Sequence, residues 1–300
     1  MGGLFGVVTE DTCVRTLFYG TDYHSHLGTE HAGMAVLGQK GFYNTIHEIS
    51  QAQFKSRFVD DYRKMEGHSG IGVIDDEAPQ PLIFRSKFGV FAVVATGLIT
   101  NKKKLVEELL NEGVSFSEMA GGGVNNAELV AALINRGDNI VEGIASMRGI
   151  IEGSVCALVL TREGIYAARD KVGRFPLALG KSIKSDVKSF VVATEASSFE
   201  NLGYELLRFL GPGEIVLLSP QGIRQLKPEG HDLKICSFLW IYTGSPSSIY
   251  EGIGVEDTRE RCGRYLARRD NVEADFVTGV PDSGIGHAIG YAMESGIPYR

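Results

Sequence analysis

The chain has 300 residues, is 43% hydrophobic and 22% charged, and carries a formal net charge of −7. That length suggests one large or two ordinary domains, and that composition a soluble globular protein. With no apolar run of roughly 18 residues, no basic-then-apolar leader and no long Lys/Arg block, it is expected to lack a membrane span, an export signal and a nucleic-acid-binding stripe.

Short, Gly-bounded apolar strands dominate the first 230 or so positions. They are predicted at 3–9 (GLFGVVT), 33–38 (GMAVLG), 69–74 (SGIGVI) and 89–97 (GVFAVVATG). The segment 154–170 reads as two strands joined at "REG", and 177–194 and 213–226 repeat the hairpin signal. Helices are predicted over "NKKKLVEELLNEG", stopped by Gly113, and over "NNAELVAALINRG", stopped by Gly137. Continuous apolar strands imply sheets covered on both faces, and so a layered α+β domain. The rhythm changes near 227–250, around Trp240, the one tryptophan. A helix follows from about 255, and 274–300 reads as strand, Gly-rich loop, helix and the start of another strand. A parallel sheet needs more strands than that, so the chain is expected to end inside a domain.

The four cysteines, Cys13, Cys156, Cys236 and Cys262, are widely spaced with no CxxC pair, which fits a reducing cytoplasm and makes no zinc site. The stretch "DYHSHLGTEHAG" sets His24, His26 and His31 near Asp22 and Glu30. It suits either a metal-binding His-x-His pair or the polar end of a helix and entry to a strand.

Three stretches in order carry a resemblance: "RDKVGRFPLALGK" (169–181), "VVATEASSFENLGYELLRFLGPGEIV" (191–216) and "VPDSGIGHAIGYAMESGIPYR" (280–300). On these the chain resembles the amidophosphoribosyltransferases, glutamine-dependent glycosyltransferases that open purine synthesis. The resemblance implies a four-layer αββα N-terminal-nucleophile-type glutaminase fold over 1–235. The first part of an α/β type I phosphoribosyltransferase domain, left incomplete, would occupy 236–300. It also implies phosphoribosyl pyrophosphate as a substrate, a homo-oligomer and a cytoplasmic location.

A glutaminase of this class needs an N-terminal Cys nucleophile, oxyanion donors, an Arg for the glutamine carboxylate and an Asp for its ammonium. By the resemblance, the nucleophile position holds Gly2, which has no side chain. The Arg position holds Asp75, a reversal of charge. The oxyanion Asn becomes Thr96, with Gly97 kept, and the Asp becomes Asn126. The expectation is a pseudoenzyme-like glutaminase site with no intact catalytic residue. Asp75 would favour a cationic or neutral ligand there over an amino-acid carboxylate.

In the loop 281–284 the resemblance implies that Asp282, Ser283 and Gly284 cradle a pyrophosphate, with Ser283 helping to hold Mg²⁺. Cys236 matches a Cys that in some relatives ligates a [4Fe–4S] cluster, and an inert buried thiol is the alternative. Two functions follow for the whole protein. One is an ammonia-dependent transferase behind a dead glutaminase; the alternative is a non-catalytic scaffold or regulatory partner of an active homologue.

Overall fold

The computed structural model describes residues 2–117, 119–120, 123–184 and 186–300. The chain divides into two compact units, 1–235 and 236–300.

The first unit begins β1 (Gly2–Thr9), α1 (Val14–Asp22), β2 (His31–Gly38), β3 (Gly41–Glu48), α2 (Phe54–Tyr62), β4 (Ser69–Asp75), β5 (Leu82–Ser86) and β6 (Gly89–Ile99). It continues through α3 (Lys102–Asn111), the short β7 (Met119–Ala120) and β8 (Gly123–Val124), α4 (Asn126–Asn135) and α5 (Ile140–Ile150). It closes with β9 (Gly153–Thr161), β10 (Gly164–Ala168), β11 (Ala178–Ser182), β12 (Ser189–Ala193), α6 (Phe199–Leu202), β13 (Tyr204–Phe209), β14 (Ile215–Ser219) and β15 (Gly222–Lys227).

Two antiparallel sheets form. One has the order β13-β11-β12-β1-β4-β2-β3, the other β15-β14-β10-β9-β6-β5. Alternation along β1 explains how they stack. Leu4 and Val8 point into a core shared with Val94, Leu158 and Leu160 of the facing sheet. Phe5 and Val7 point the other way, onto Leu17 and Phe18 of α1. The second sheet buries its outer face against α3, α4 and α5 through Leu105, Leu109, Leu133 and Ile144. The result is the four-layer αββα arrangement. The strands predicted in the first unit are all present, and its three predicted hairpins pair antiparallel.

Two of the quoted motifs are structural. Arg169, 1% exposed, donates to the carbonyls of Gly173 (2.8 Å), Phe175 (2.8 Å) and Leu210. Asp170 accepts from the amides of Val172 and Phe175, both at 3.1 Å, so the pair ties the β10–β11 connection together. Glu214 is fully buried and accepts a fork from Arg208 (2.7 and 2.8 Å), a bond from Gln225 (2.7 Å) and the Gly211 amide (2.8 Å). Burial opposes ionisation there, but those donors prevail and hold the carboxyl below its ordinary range.

The second unit carries β16 (Ile249–Tyr250), β17 (Ile253–Gly254), α7 (Val255–Ala267) and α8 (Gly284–Ser295). The helices approach closely enough that a Cβ on Gly263 would meet the His287 carbonyl at 1.9 Å, and one on Gly290 the Glu260 carbonyl at 2.0 Å. The strands predicted around α8 shrink to a parallel bridge between Val277 and Tyr299. The parallel sense is that of a βαβ unit.

Candidate functional site

Gly2 opens β1 and stands in register with Asp75 of β4. Even-numbered positions of β1 face the other sheet, so a side chain here would point at β6. A Cβ built on Gly2 lies 2.6 Å from Thr96 Oγ1, 2.7 Å from the Ile74 carbonyl oxygen and 3.0 Å from Asp75 Oδ1. All three are closer than carbon and oxygen normally approach. Thr96 can rotate, but Ile74 is backbone in the middle of a sheet. Position 2 therefore lacks a nucleophile and also lacks the space for one.

Asp75 is 5% exposed. Its Oδ2 accepts from the Ala78 amide (3.1 Å) and from Gln80 Nε2 (2.9 Å). Gln80, fully buried, spends the rest of its carboxamide on Ala95, donating to its carbonyl (2.9 Å) and accepting from its amide (2.7 Å). Thr96 is the next residue. The two sheets are thus stitched together where Gly2, Asp75 and Thr96 meet. Burial raises the Asp75 carboxyl from its ordinary 3.8 to about 6, against the pull of the Ala78 and Gln80 donors.

Gly97 lies in the ladder between β6 and β9, opposite Val155. Its φ of +133° and the Ser154 carbonyl, 1.9 Å from a would-be Cβ, both require glycine. Asn126, the first residue of α4, donates to Glu77 Oε2 at 2.5 Å. Its Oδ1 is buried with no partner among the described residues, at a cost of about 1–3 kcal/mol. Asn125 caps α4 through the Ala127 amide (2.9 Å) and holds the acidic turn by donating to the Pro79 carbonyl (2.8 Å). Lys102, at the start of α3, feels Glu77 and Asp75, but burial outweighs them and lowers its pKa. The cluster thus joins Gly2, Asp75 and Thr96 directly, and brings in Asn126 through Glu77. Sequence reasoning missed Gln80, Glu77 and Lys102. The turn-like "DDEAPQP" was the available signal, and it did not say which side chains turn inward.

The histidine cluster resolves into structure. His24 is 1% exposed; Nδ1 donates to the Gly20 carbonyl (2.8 Å), and Nε2 accepts from the Glu195 amide (3.2 Å). With both ring nitrogens engaged it has none for a metal. Burial, only partly offset by Glu195, lowers its pKa to about 4, so the ring is neutral. His26 pairs with Glu195 at 3.0 Å, and His31 begins β2. Among the described residues no group of three or more His, Cys, Asp or Glu is arranged to hold a metal ion. Cys13 offers no substitute nucleophile: it lies beyond the far end of β1 from Gly2, and burial pushes its thiol up to about 12.

In the second unit Ser283 is the N-cap residue of α8, and its carbonyl accepts from His287 Nδ1 at 3.1 Å. Asp282 is exposed, Ser283 and Gly284 partly so. The Asp282 carboxylate and the Ser283 hydroxyl are hard oxygen ligands without a hydrogen bond among the described residues, which suits Mg²⁺. Cys236 and Cys262 are half-buried thiols of the second unit, whereas Cys13 and Cys156 are buried in the first.

Residues 68–201 match the model of a glutamine amidotransferase domain. The amidophosphoribosyltransferase of Bacillus subtilis is 32% identical over 99% of this chain and 63% of its own length. That of Archaeoglobus fulgidus is 32% identical over the whole chain and 66% of its own length. The chain thus spans a little under two thirds of these relatives. Among solved structures, the B. subtilis glutamine phosphoribosylpyrophosphate amidotransferase complexed with ADP and GMP superposes with a TM-score of 0.89 at 30% identity. That match covers 99% of this chain and 65% of that one. A structure described as the allosteric regulatory enzyme of purine biosynthesis gives 0.89 at 29% identity, covering 99% and 64%.

Proposed function

Because the chain belongs to the amidophosphoribosyltransferase family, we propose that it is a homologue whose glutaminase site is dead and whose transferase chemistry draws on ammonia. The observation that carries the first half is the closure at Gly2. Acyl transfer needs a nucleophile on residue 2, and here Thr96 Oγ1 and the Ile74 carbonyl fill the volume it would occupy. Asp75 adds a second obstacle. Once ionised, above pH about 6, it repels the carboxylate of an amino acid, and below that it is a neutral acid already bonded to Gln80 and Ala78. Neither state replaces the bidentate grip of an arginine.

The transferase half of the proposal rests on family membership and on the loop 281–284. There the α8 N-terminus and the oxygens of Asp282 and Ser283 suit a pyrophosphate and its cation. Mg²⁺, held by these oxygens and the substrate's own, would neutralise the leaving pyrophosphate. In the reaction the ammonia nitrogen forms a bond to C1 of the ribose, the C1–oxygen bond to pyrophosphate breaks, and ammonia gives up one proton to solvent. The products are 5-phosphoribosylamine and pyrophosphate.

The test is phosphoribosylamine formation by the full-length protein from phosphoribosyl pyrophosphate and Mg²⁺, with glutamine or ammonium as the nitrogen source. Product with ammonium alone is expected. Product with glutamine overturns the reading of Gly2 and Asp75. No product with either source leaves the non-catalytic partner as the better account.

A further inference from the structure

The seven-stranded sheet ends in β13, whose inner edge pairs with β11 and whose outer edge has no strand beside it among the described residues. Of its six residues, Glu205, Leu206, Leu207 and Arg208 are exposed, the two leucines by 43% and 44%. A groove of about 530 Å³ runs beside it, lined by Leu207 and Phe209 and by Ile223 and Gln225 of β15, the end strand of the second sheet. An outer edge of this kind offers unpaired amides and carbonyls to any strand that can match it.

The strand reads as its own complement: "YELLRF" is aromatic, acidic, Leu, Leu, basic, aromatic. Turned antiparallel onto a second copy about a point between Leu206 and Leu207, it sets Tyr204 opposite Phe209, Glu205 opposite Arg208 and Leu206 opposite Leu207. Residues directly opposite each other share a face of the sheet, and positions three apart in a regular strand do not. A bulge removes that obstacle. The register with β11 shifts between Leu179 and Gly180, so that Glu205 stands opposite Lys181, Arg208 stands opposite Leu179, and Leu207 is an extra residue. Lys181 and Leu179 share a face, and therefore so do Glu205 and Arg208. Tyr204, opposite Ser182, and Phe209, opposite Ala178, share the other face in the same way.

Both charged groups keep capacity for a further partner. Arg208 spends Nη1 and Nη2 on Glu214 and the Phe209 carbonyl, and its Nε–H has no acceptor among the described residues. Glu205 accepts from Lys181 through Oε1 at 3.1 Å, with half of its side chain open to solvent. Opposite charges directly across an antiparallel pair attract and like charges repel. A parallel pairing of two β13 strands would set Glu205 on Glu205 and Arg208 on Arg208. The charges thus guard the edge against that arrangement and admit the antiparallel one.

We propose that the outer edge of β13 is an interface with a second copy of this chain, paired antiparallel across a two-fold axis at Leu206 and Leu207, so that two seven-stranded sheets become continuous. Such an interface is isologous: the Glu205–Arg208 pair forms once on each side of the axis. It uses no residue of the glutaminase site or of the loop 281–284, so it stands apart from the function proposed above.

Sedimentation equilibrium of the protein over a wide concentration range, with hydrogen exchange at both ends of that range, tests this. Self-association is expected, and the amides of residues 205–208 should gain protection as concentration rises. Glu205→Lys sets a lysine against Arg208 on both sides of the axis and should weaken the association at least about tenfold. It should also abolish the concentration-dependent protection. Glu48→Lys makes the same change of charge at an exposed position of β3, the opposite end of the same sheet, and should leave the association in place. A protein that stays monomeric throughout, an association that the two variants weaken equally, or one that brings no protection to 205–208, overturns the proposal.

Discussion

Asp75→Asn should make the protein more stable at neutral pH, and the gain should vanish in acid. The wild-type carboxyl is buried and its pKa rises from 3.8 to about 6 on folding. Between those values the folded state binds a proton that the unfolded state does not, so this group's contribution to stability falls as pH rises through the window. A shift of about 2 pH units corresponds to about 3 kcal/mol against the folded state above pH 6. Asparagine keeps an Oδ1 to accept from Ala78 and Gln80 and carries no charge, so most of that penalty should be relieved.

His24 works in the opposite sense. Its pKa falls from 6.5 to about 4 on folding, so its contribution is full above pH 6.5 and is lost as pH falls toward 4, again about 3 kcal/mol in all. In the wild type these two contributions largely offset each other between pH 4 and 6.5. In Asp75→Asn the histidine dependence is no longer offset, and stability should drop more steeply on acidification than in the wild type. Urea unfolding followed by circular dichroism from pH 3.5 to 8 measures both. A variant that is less stable at pH 7.5, or a difference that does not change with pH, would refute the reasoning.

Gly2→Cys should fail to restore glutamine hydrolysis and should lower stability by about 1–3 kcal/mol, because its Cβ collides with the Ile74 carbonyl; glutamate release and a urea melt read the two effects. Glu214→Ala removes the acceptor of the Gly211, Gln225 and Arg208 donors, and should lower the unfolding free energy by about 3 kcal/mol. Gly263→Ala puts a methyl group against the His287 carbonyl and should force α7 from α8, lowering the hydrogen-exchange protection of both helices while that of β1 and β9 is unchanged.

How far the sequence could be read depended on how each element is buried. The strands β1, β4, β6 and β9 are covered on both faces, so their apolar runs are continuous and bounded by glycine. By contrast β3, β5 and β13 lie at sheet edges, where alternation is half solvent-facing and "FYNTIHE" or "YELLRF" shows no clean period. Helix α1 was hidden by Gly20, kept because a Cβ there would meet the Phe5 ring at 2.3 Å. At the site, Gly2, Asp75, Thr96 and Asn126 were legible because family motifs fix their positions. Gln80 was not, since a glutamine in a polar turn looks the same whether it faces water or, as here, joins two sheets. Chain order also could not reveal that Thr96 and Ile74 close the space beside Gly2, which depends on how the sheets stack.

The most direct test of the central claim is glutamate release from glutamine by the purified wild-type protein. Release at the rate of the protein-free blank, across pH 5 to 8, is the predicted result. Glutamate that accumulates in proportion to protein concentration would contradict the account, because it would require a nucleophile that neither Gly2 nor the buried Cys13 can supply.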